Sequence, residues 1–298
     1  MNTHTLNRKQ FDILTFLERS SEVKTQREIA EATDMSVGSV NRVISALTEQ
    51  GLLSDNKLTE KGYAALEPYK VKRAVFIAAG FGARLVPITL NTPKPLVRVK
   101  GVRMIDTLLD AVVRAGIEEI VIVRGYLGEQ FDQLKYKYPQ IQFLENPLYN
   151  EANNISSAMI ARYLLQNAYV LEADLVLYNP DLIQKYQYTS NYLGVPVDST
   201  DDWCFEVKNR VITKCCIGGT DCYHMFGISY WNGEDGAKLA EDIKKVYQMP
   251  GGKERYWDQV ALEYCIKNYK VEVRPCTFED IIEIDTYTDL KKLDNTYC

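Results

Sequence analysis

Residues 78–85 read Ala-Ala-Gly-Phe-Gly-Ala-Arg-Leu and follow directly on an apolar run at 74–79. Glycine behind a strand lets backbone N–H groups turn toward an anion and lets that anion approach closely. Arg84 adds a planar fork of donors suited to phosphate oxygens. Ten residues on, Thr92-Pro93-Lys94-Pro95-Leu96 sets a lysine between two prolines, whose fixed φ stiffens the loop and aims the ammonium. The chemistry such a pair of loops can do is to grip a polyphosphate. Alone, Gly-x-Gly-x-Arg is equally an ordinary tight turn with a surface arginine, and the second basic loop argues against that reading. Two familiar phosphate loops do not fit. A Walker-type loop needs a lysine directly after its last glycine, and none follows here. A dinucleotide fingerprint needs a third glycine where Leu85 stands.

These loops need a sheet to hold them. Buried strands are expected at 74–79, 119–125, 141–146 and 169–174, with helices at 104–116, 128–138 and 155–165 between them. Apolar strands spaced by helices imply right-handed crossovers and a parallel sheet covered on both faces. Beyond Asp174 the pattern turns antiparallel, in four pieces: LGVPV, WCFEV, RVITKCC and CYHMFGISYW. The expected fold class is α/β, a Rossmann-like, mixed but mostly parallel sheet over residues 70–298.

Residues 1–69 have a different grammar. Asn7 with Gln10 and Thr25 with Glu28 suit helix starts, and Val37, Val40, Val43, Ile44 and Leu47 make one apolar face closed by Gly51. A short turn between two such helices is the helix-turn-helix pattern, and 52–66 reads as strand, turn, strand, helix, a wing. The segment resembles winged-helix domains of bacterial regulators. A DNA reader of this shape would present Ser36, Ser39, Asn41 and Arg42. Over residues 1–70, nine Lys and Arg face ten Asp and Glu, a net charge of about -1. Non-specific DNA affinity rests on phosphate neutralisation, so weak binding is expected. A DNA-binding role and a packing or dimerisation role stand level.

The pairing A-A-G-x-G-x-R with T-P-K-P-L resembles nucleotidyltransferases of the nucleoside-diphosphosugar pyrophosphorylase type. The resemblance spans most of residues 72–298. It implies a nucleoside triphosphate bound at Ala79, Gly80, Phe81, Gly82, Ala83 and Arg84, with Gly125 and Asn154 contributing. Arg84 would hold the departing phosphates, and Lys94 would draw the acceptor and α-phosphates together. Asp174 closes a parallel strand at the end where open α/β sheets place their ligands, and a carboxylate there can hold Mg²⁺. The resemblance makes Asp285 its second aspartate; alternation along 282–285 would put Glu283 and Asp285 on one strand face.

The segments GYLGEQFDQLK, Asn153-Asn154, Asp201-Asp202-Trp203, Tyr230-Trp231, Tyr256-Trp257-Asp258 and 282–285 are together similar to the phosphocholine cytidylyltransferases of bacteria. That likeness implies CTP and phosphocholine as substrates, giving CDP-choline and pyrophosphate. A quaternary ammonium has no N–H to donate, so aromatic faces and negative charge must hold it, each face contributing roughly 0.5–2 kcal/mol. Trp203, Trp231, Tyr256 and Trp257 are the expected faces, with Asp258 and Glu283 as the expected charges. Individually each tryptophan is as readily a core residue. Alternatives are a cytidylyltransferase for phosphoethanolamine or 2-aminoethylphosphonate, which would want more carboxylates and fewer aromatics, and a sugar-1-phosphate nucleotidyltransferase. A non-catalytic regulator sensing a metabolite is the fourth reading.

Composition sets the outer bounds. The 298 residues are 46% hydrophobic and 25% charged, with a net charge of -5, which excludes a largely disordered chain and a strongly basic nucleic-acid coat. No apolar run is long enough to span a bilayer, and the first residues lack a basic-then-apolar leader, so a cytoplasmic protein is expected. Seven cysteines without a C-x-x-C pair, and two histidines, His4 and His224, make a zinc site improbable and reduced thiols the expectation. A homodimer is left open by the sequence.

Overall fold

The computed structural model describes residues 5–20 and 22–298; His4 lies outside them. The chain divides into two compact units, one running to Lys70 and including Tyr186–Tyr188, the other Val71–Lys185 with Thr189–Cys298.

The smaller unit is built from α1 (Arg8–Arg19), α2 (Gln26–Ala32), α3 (Val37–Glu49), the strands β1 (Leu53–Ser54) and β2 (Lys57–Leu58), and α4 (Glu60–Leu66). Both expected capping boxes form, Asn7 with Gln10 and Thr25 with Glu28. Each satisfies two backbone donors that a helix start leaves unpaired. Gly51 ends α3 in the left-handed region at φ +71°. Phe11, Leu14, Ile29, Val40 and Leu47 make the core. Tyr186 and Tyr188 join it from far along the chain. Tyr188 stacks on Tyr69 at 5.6 Å, and its hydroxyl donates to the Leu6 carbonyl. Nothing in the sequence periodicity announces that insertion.

The larger unit is a seven-stranded sheet. Its elements are β3 (Arg73–Ala78), the small hairpin β4 (Arg98–Val99) and β5 (Val102–Arg103), α5 (Met104–Arg114), β6 (Glu119–Arg124), β7 (Ile141–Glu145), α6 (Ile155–Ala161), β8 (Ala168–Glu172) and β9 (Leu175–Leu177). Then come β10 (Asn191–Lys208), β11 (Val211–Trp231), α7 (Gly233–Tyr247), β12 (Glu272–Pro275), β13 (Ile281–Glu283) and α8 (Tyr287–Leu293). Strand order is β10-β12-β11-β8-β3-β6-β7. β8, β3, β6 and β7 run parallel, and β11 joins β8 antiparallel. One apolar layer packs α5 on the sheet through Ile105, Leu108 and Val112, and the other packs α6 and α7 through Ala158, Ala161, Leu239 and Ile243. Because β8 and β3 are neighbours far apart in sequence, the topological switch lies between them, and their C-terminal ends open a crevice there.

Four expectations change. Residues 128–136 form a 3-10 helix, and the helix at 155 gives way to 3-10 geometry at Arg162–Leu164. The four antiparallel pieces after Asp174 are two long strands, β10 and β11, broken by register shifts between Thr200 and Val207. Bulges of that kind bend a hairpin without ending it, which is why it reads as fragments. β13 stops at Glu283, so Asp285 lies beyond the strand.

Candidate active site

The crevice is a cavity of about 450 Å³ lined by residues 77–80, Gly82, Arg84, Lys94, Asn153, Asn154, Glu172–Asp174, Asp202, Trp203, Tyr256, Asp258, Glu283 and Asp285 among others. Phe81, Ala83 and Gly125 do not line it. Phe81 sets its ring edge-on to Tyr126 at 4.6 Å, and Tyr126 N–H donates to the Ala79 carbonyl, which braces the glycine loop from behind. Gly125 permits a close approach: a Cβ there would stand 2.8 Å from the Tyr149 side chain. Gly82 holds φ +69°, and a Cβ would meet Lys94 Cβ at 2.9 Å, so the two loops touch through the missing side chain.

Lys94 is the electrostatic centre. Its Nζ donates to Asp174 Oδ2 at 2.8 Å and to Asp285 Oδ1 at 3.2 Å. Arg84 Nη1 donates to Asp285 Oδ2 at 2.8 Å while its side chain stays two-thirds exposed. Arg84, Lys94, Asp174 and Asp285, from four separate stretches, thus form one ion-pair network. Burial pulls the Lys94 pKa down, but Asp174 first, then Asp285 and Glu283, outweigh it, and the net shift is upward. Lys94 therefore carries its charge throughout the physiological range.

The carboxylates crowd. Glu172, Asp174 and Glu283 bring oxygens within 4.8 Å of one another. Desolvation, then like-charge neighbours, hold Glu172 and Glu283 well above the usual carboxylate range. Asp174 Oδ1 is buried without a hydrogen-bond partner. An all-oxygen set with an orphaned carboxylate oxygen fits a hard divalent cation such as Mg²⁺. Glu172 was not singled out from the sequence, though it sits two residues before Asp174, the period that puts strand side chains on one face.

The same cavity holds amine-side candidates. Trp203 and Tyr256 line the cavity with ring centroids 5.7 Å apart at 69°. Trp231 and Trp257 do not: they are 0% and 1% exposed and pack on one another at 6.2 Å. The expectation that they offer faces to a ligand is corrected, since both lie in the apolar layer behind the wall. Asp258 reaches the cavity, and burial pushes its carboxyl up to about 7, against a hydrogen bond from the Tyr192 hydroxyl that favours the charged form. Asn154 Oδ1 accepts from the Trp257 backbone N–H at 2.9 Å and its Nδ2 donates to Glu172 at 3.2 Å, tying the wall together. The cysteines are free thiols, and no metal-ligating group of them occurs among the described residues.

Comparison with known proteins places this geometry. The nucleotidyl transferase family matches residues 73–192, and the MarR family matches residues 4–57. A 2-aminoethylphosphonate cytidylyltransferase of Lancefieldella rimae is 36% identical over 228 residues, 75% of this chain and 92% of the relative. A choline-phosphate cytidylyltransferase of Streptococcus pneumoniae is 32% identical over 74% of this chain and 96% of its own. The solved structure of CTP:phosphocholine cytidylyltransferase from Streptococcus pneumoniae superposes with a TM-score of 0.70 at 31% identity, over 77% of this chain and all of that one.

Proposed function

The chain belongs to the nucleotidyl transferase family, and from that membership we propose that it transfers a cytidylyl group from CTP to a small phosphorylated or phosphonylated amine, releasing pyrophosphate. The observation that carries this reading is the convergence of Arg84, Lys94, Asp174 and Asp285 in one cavity that Trp203, Tyr256, Asp202 and Asp258 also line.

The chemistry follows from that layout. An acceptor phosphate or phosphonate is anionic near neutral pH, so its oxygen attacks the α-phosphorus without a general base. Ala79, Gly80 and Gly82 present backbone to the nucleotide. Arg84 is placed for the departing β,γ-phosphates. Lys94 is placed to hold the two reacting phosphoryl groups together, and catalysis is positioning with charge neutralisation. Asp174, with Glu283 beside it and Asp285 across Lys94, would hold Mg²⁺, which when bound would neutralise charge on the α-phosphate.

Acceptor choice turns on the amine-side wall. With Trp231 and Trp257 in the core, Trp203 and Tyr256 remain of the four expected faces, beside Asp202 and Asp258, and Tyr149 also lines the cavity. Fewer of the expected faces with two carboxylates suit an ammonium with N–H donors, so 2-aminoethylphosphonate or phosphoethanolamine is the first reading. The near-perpendicular Trp203 and Tyr256 rings favour phosphocholine as the second, since a corner of two aromatics can hold a trimethylammonium. The test is pyrophosphate release with CTP and Mg²⁺ across these three acceptors and glucose 1-phosphate. The expected order puts the primary amines ahead of phosphocholine and the sugar phosphate last, with turnover falling at least a hundredfold in Lys94→Ala. A sugar phosphate turned over fastest would replace the reading.

A further inference from the structure

Behind the amine-side wall lies a buried aromatic block that the reaction itself does not touch. Tyr192, at the start of β10, is fully buried. It packs against Trp257 at 6.2 Å and 27°, against Trp231 at 6.1 Å and 83°, and against Phe205 at 5.5 Å. Trp231 is held in turn: its Nε1–H donates to Ser229 Oγ at 3.0 Å. Three side chains, Phe205 on β10, Trp231 on β11 and Trp257 in a turn, therefore fix a single ring. The Tyr192 hydroxyl lies beside Ser229 and donates to Asp258 Oδ1. Asp258 is 6% exposed, yet it lines the cavity. The groups facing it are Tyr192 from β10, Glu172 from β8 and Cys215 from β11; of these side chains the tyrosine is the one that donates to it, beside the backbone N–H of Asp258 itself.

We propose that Tyr192 is the positioning residue of the acceptor site: clamped by Trp231 and Trp257, its hydroxyl fixes the orientation of the buried Asp258 carboxyl so that it selects an acceptor bearing a positive charge. The proposal rests on the aminated-acceptor reading above and deepens it. The physical case is a comparison of environments. A carboxylate this buried, beside another acid, prefers its neutral form or a rotated pose. One hydrogen bond from an immobile donor favours the charged form and fixes which oxygen stays free. A mobile donor could not do so, because its own ordering entropy would offset the gain. The two buried tryptophans thereby acquire a role at the site without contacting a ligand.

The experiment compares Tyr192→Phe with the native chain on a charged acceptor, 2-aminoethylphosphonate, and its neutral counterpart, 2-hydroxyethylphosphonate. Phenylalanine keeps the packing and removes the donor. The expected result is a roughly tenfold rise in KM for the amine, the scale of one hydrogen bond to a charged group. The KM for CTP and kcat stay within about twofold, and the hydroxyl acceptor is unaffected. A merely structural role would move both acceptors and CTP alike. If the native chain prefers the amine and the Phe variant keeps that preference, this proposal fails while the acceptor reading stands. If the native chain shows no preference for the amine, the acceptor reading fails and takes this proposal with it. Should the Phe variant melt below the assay temperature, Asp258→Asn carries the test, and a preserved preference for the amine in that variant overturns the proposal.

Discussion

Asp258 is a buried acid held between two opposed forces. Desolvation raises its pKa, the Tyr192 hydroxyl lowers it, and the outcome is about 7. In the unfolded chain an aspartate ionises near 4. The folded form therefore binds its proton over a pH range in which the unfolded form has already released it, and stability falls as pH rises from about 4 to 7. Above about 7 the penalty is complete; below about 4 it is absent. Asp258→Asn removes it, because the amide is neutral at every pH and can still accept from Tyr192. Urea melts should find the variant more stable than the native chain at pH 8, by on the order of 2–4 kcal/mol. That gain should vanish at pH 4. A variant less stable at both pH values would show that the carboxylate is not strained by burial. The expected sign makes Asp258 a residue kept at a cost in stability, as buried charge at binding sites commonly is.

The glycine loop and the Lys94 loop act as one element, and their contact decides which glycine matters. Gly82 combines a left-handed φ with a Cβ position 2.9 Å from Lys94 Cβ, whereas a Cβ at Gly80 would meet nothing within 4 Å. Gly82→Ala should lose about 1–2 kcal/mol from backbone conformation alone. It should also displace Lys94 from Asp174 and Asp285, lowering kcat/KM for CTP by about a hundredfold. Gly80→Ala should change the melting midpoint little. Equal thermal penalties at the two positions would contradict this account. The loop pair was legible from sequence because glycine, arginine and proline-flanked lysine are local signals. The helix caps were legible for the same reason, since Thr25 and Glu28 need only each other. What was not legible depends on contacts across the chain. The tryptophans are alike in sequence, and only the packing of β10, β11 and the 257 turn decides that Trp203 faces the cavity while Trp231 and Trp257 face the core. Glu172 and Tyr192 were missed because their partners Asn154 and Asp258 lie 18 and 66 residues away.

At the scale of the molecule, the open matter is the winged helix. The matched pneumococcal structure leaves about a quarter of this chain without a counterpart. The domain's surface chemistry sets what it can bind. The polar groups at the start of α3 are partly engaged within the domain: Ser39 Oγ accepts from Lys9 at 3.2 Å, and Asn41 Oδ1 accepts from Gln26 at 3.4 Å. Arg42 is exposed and is the one basic side chain on α3. With a net charge of about -1 over residues 1–70, few phosphates can be neutralised at once. Each phosphate contact contributes roughly one unit to the slope of log affinity against log salt. Titrating the full-length protein into labelled duplex DNA between 50 and 200 mM salt should give weak binding with a slope no steeper than about -3. Arg42→Ala should flatten that slope by about one. A steep slope, or tight binding that survives 200 mM salt, would instead mean that two or more copies of the domain grip the duplex together, since one copy lacks the charge to produce it.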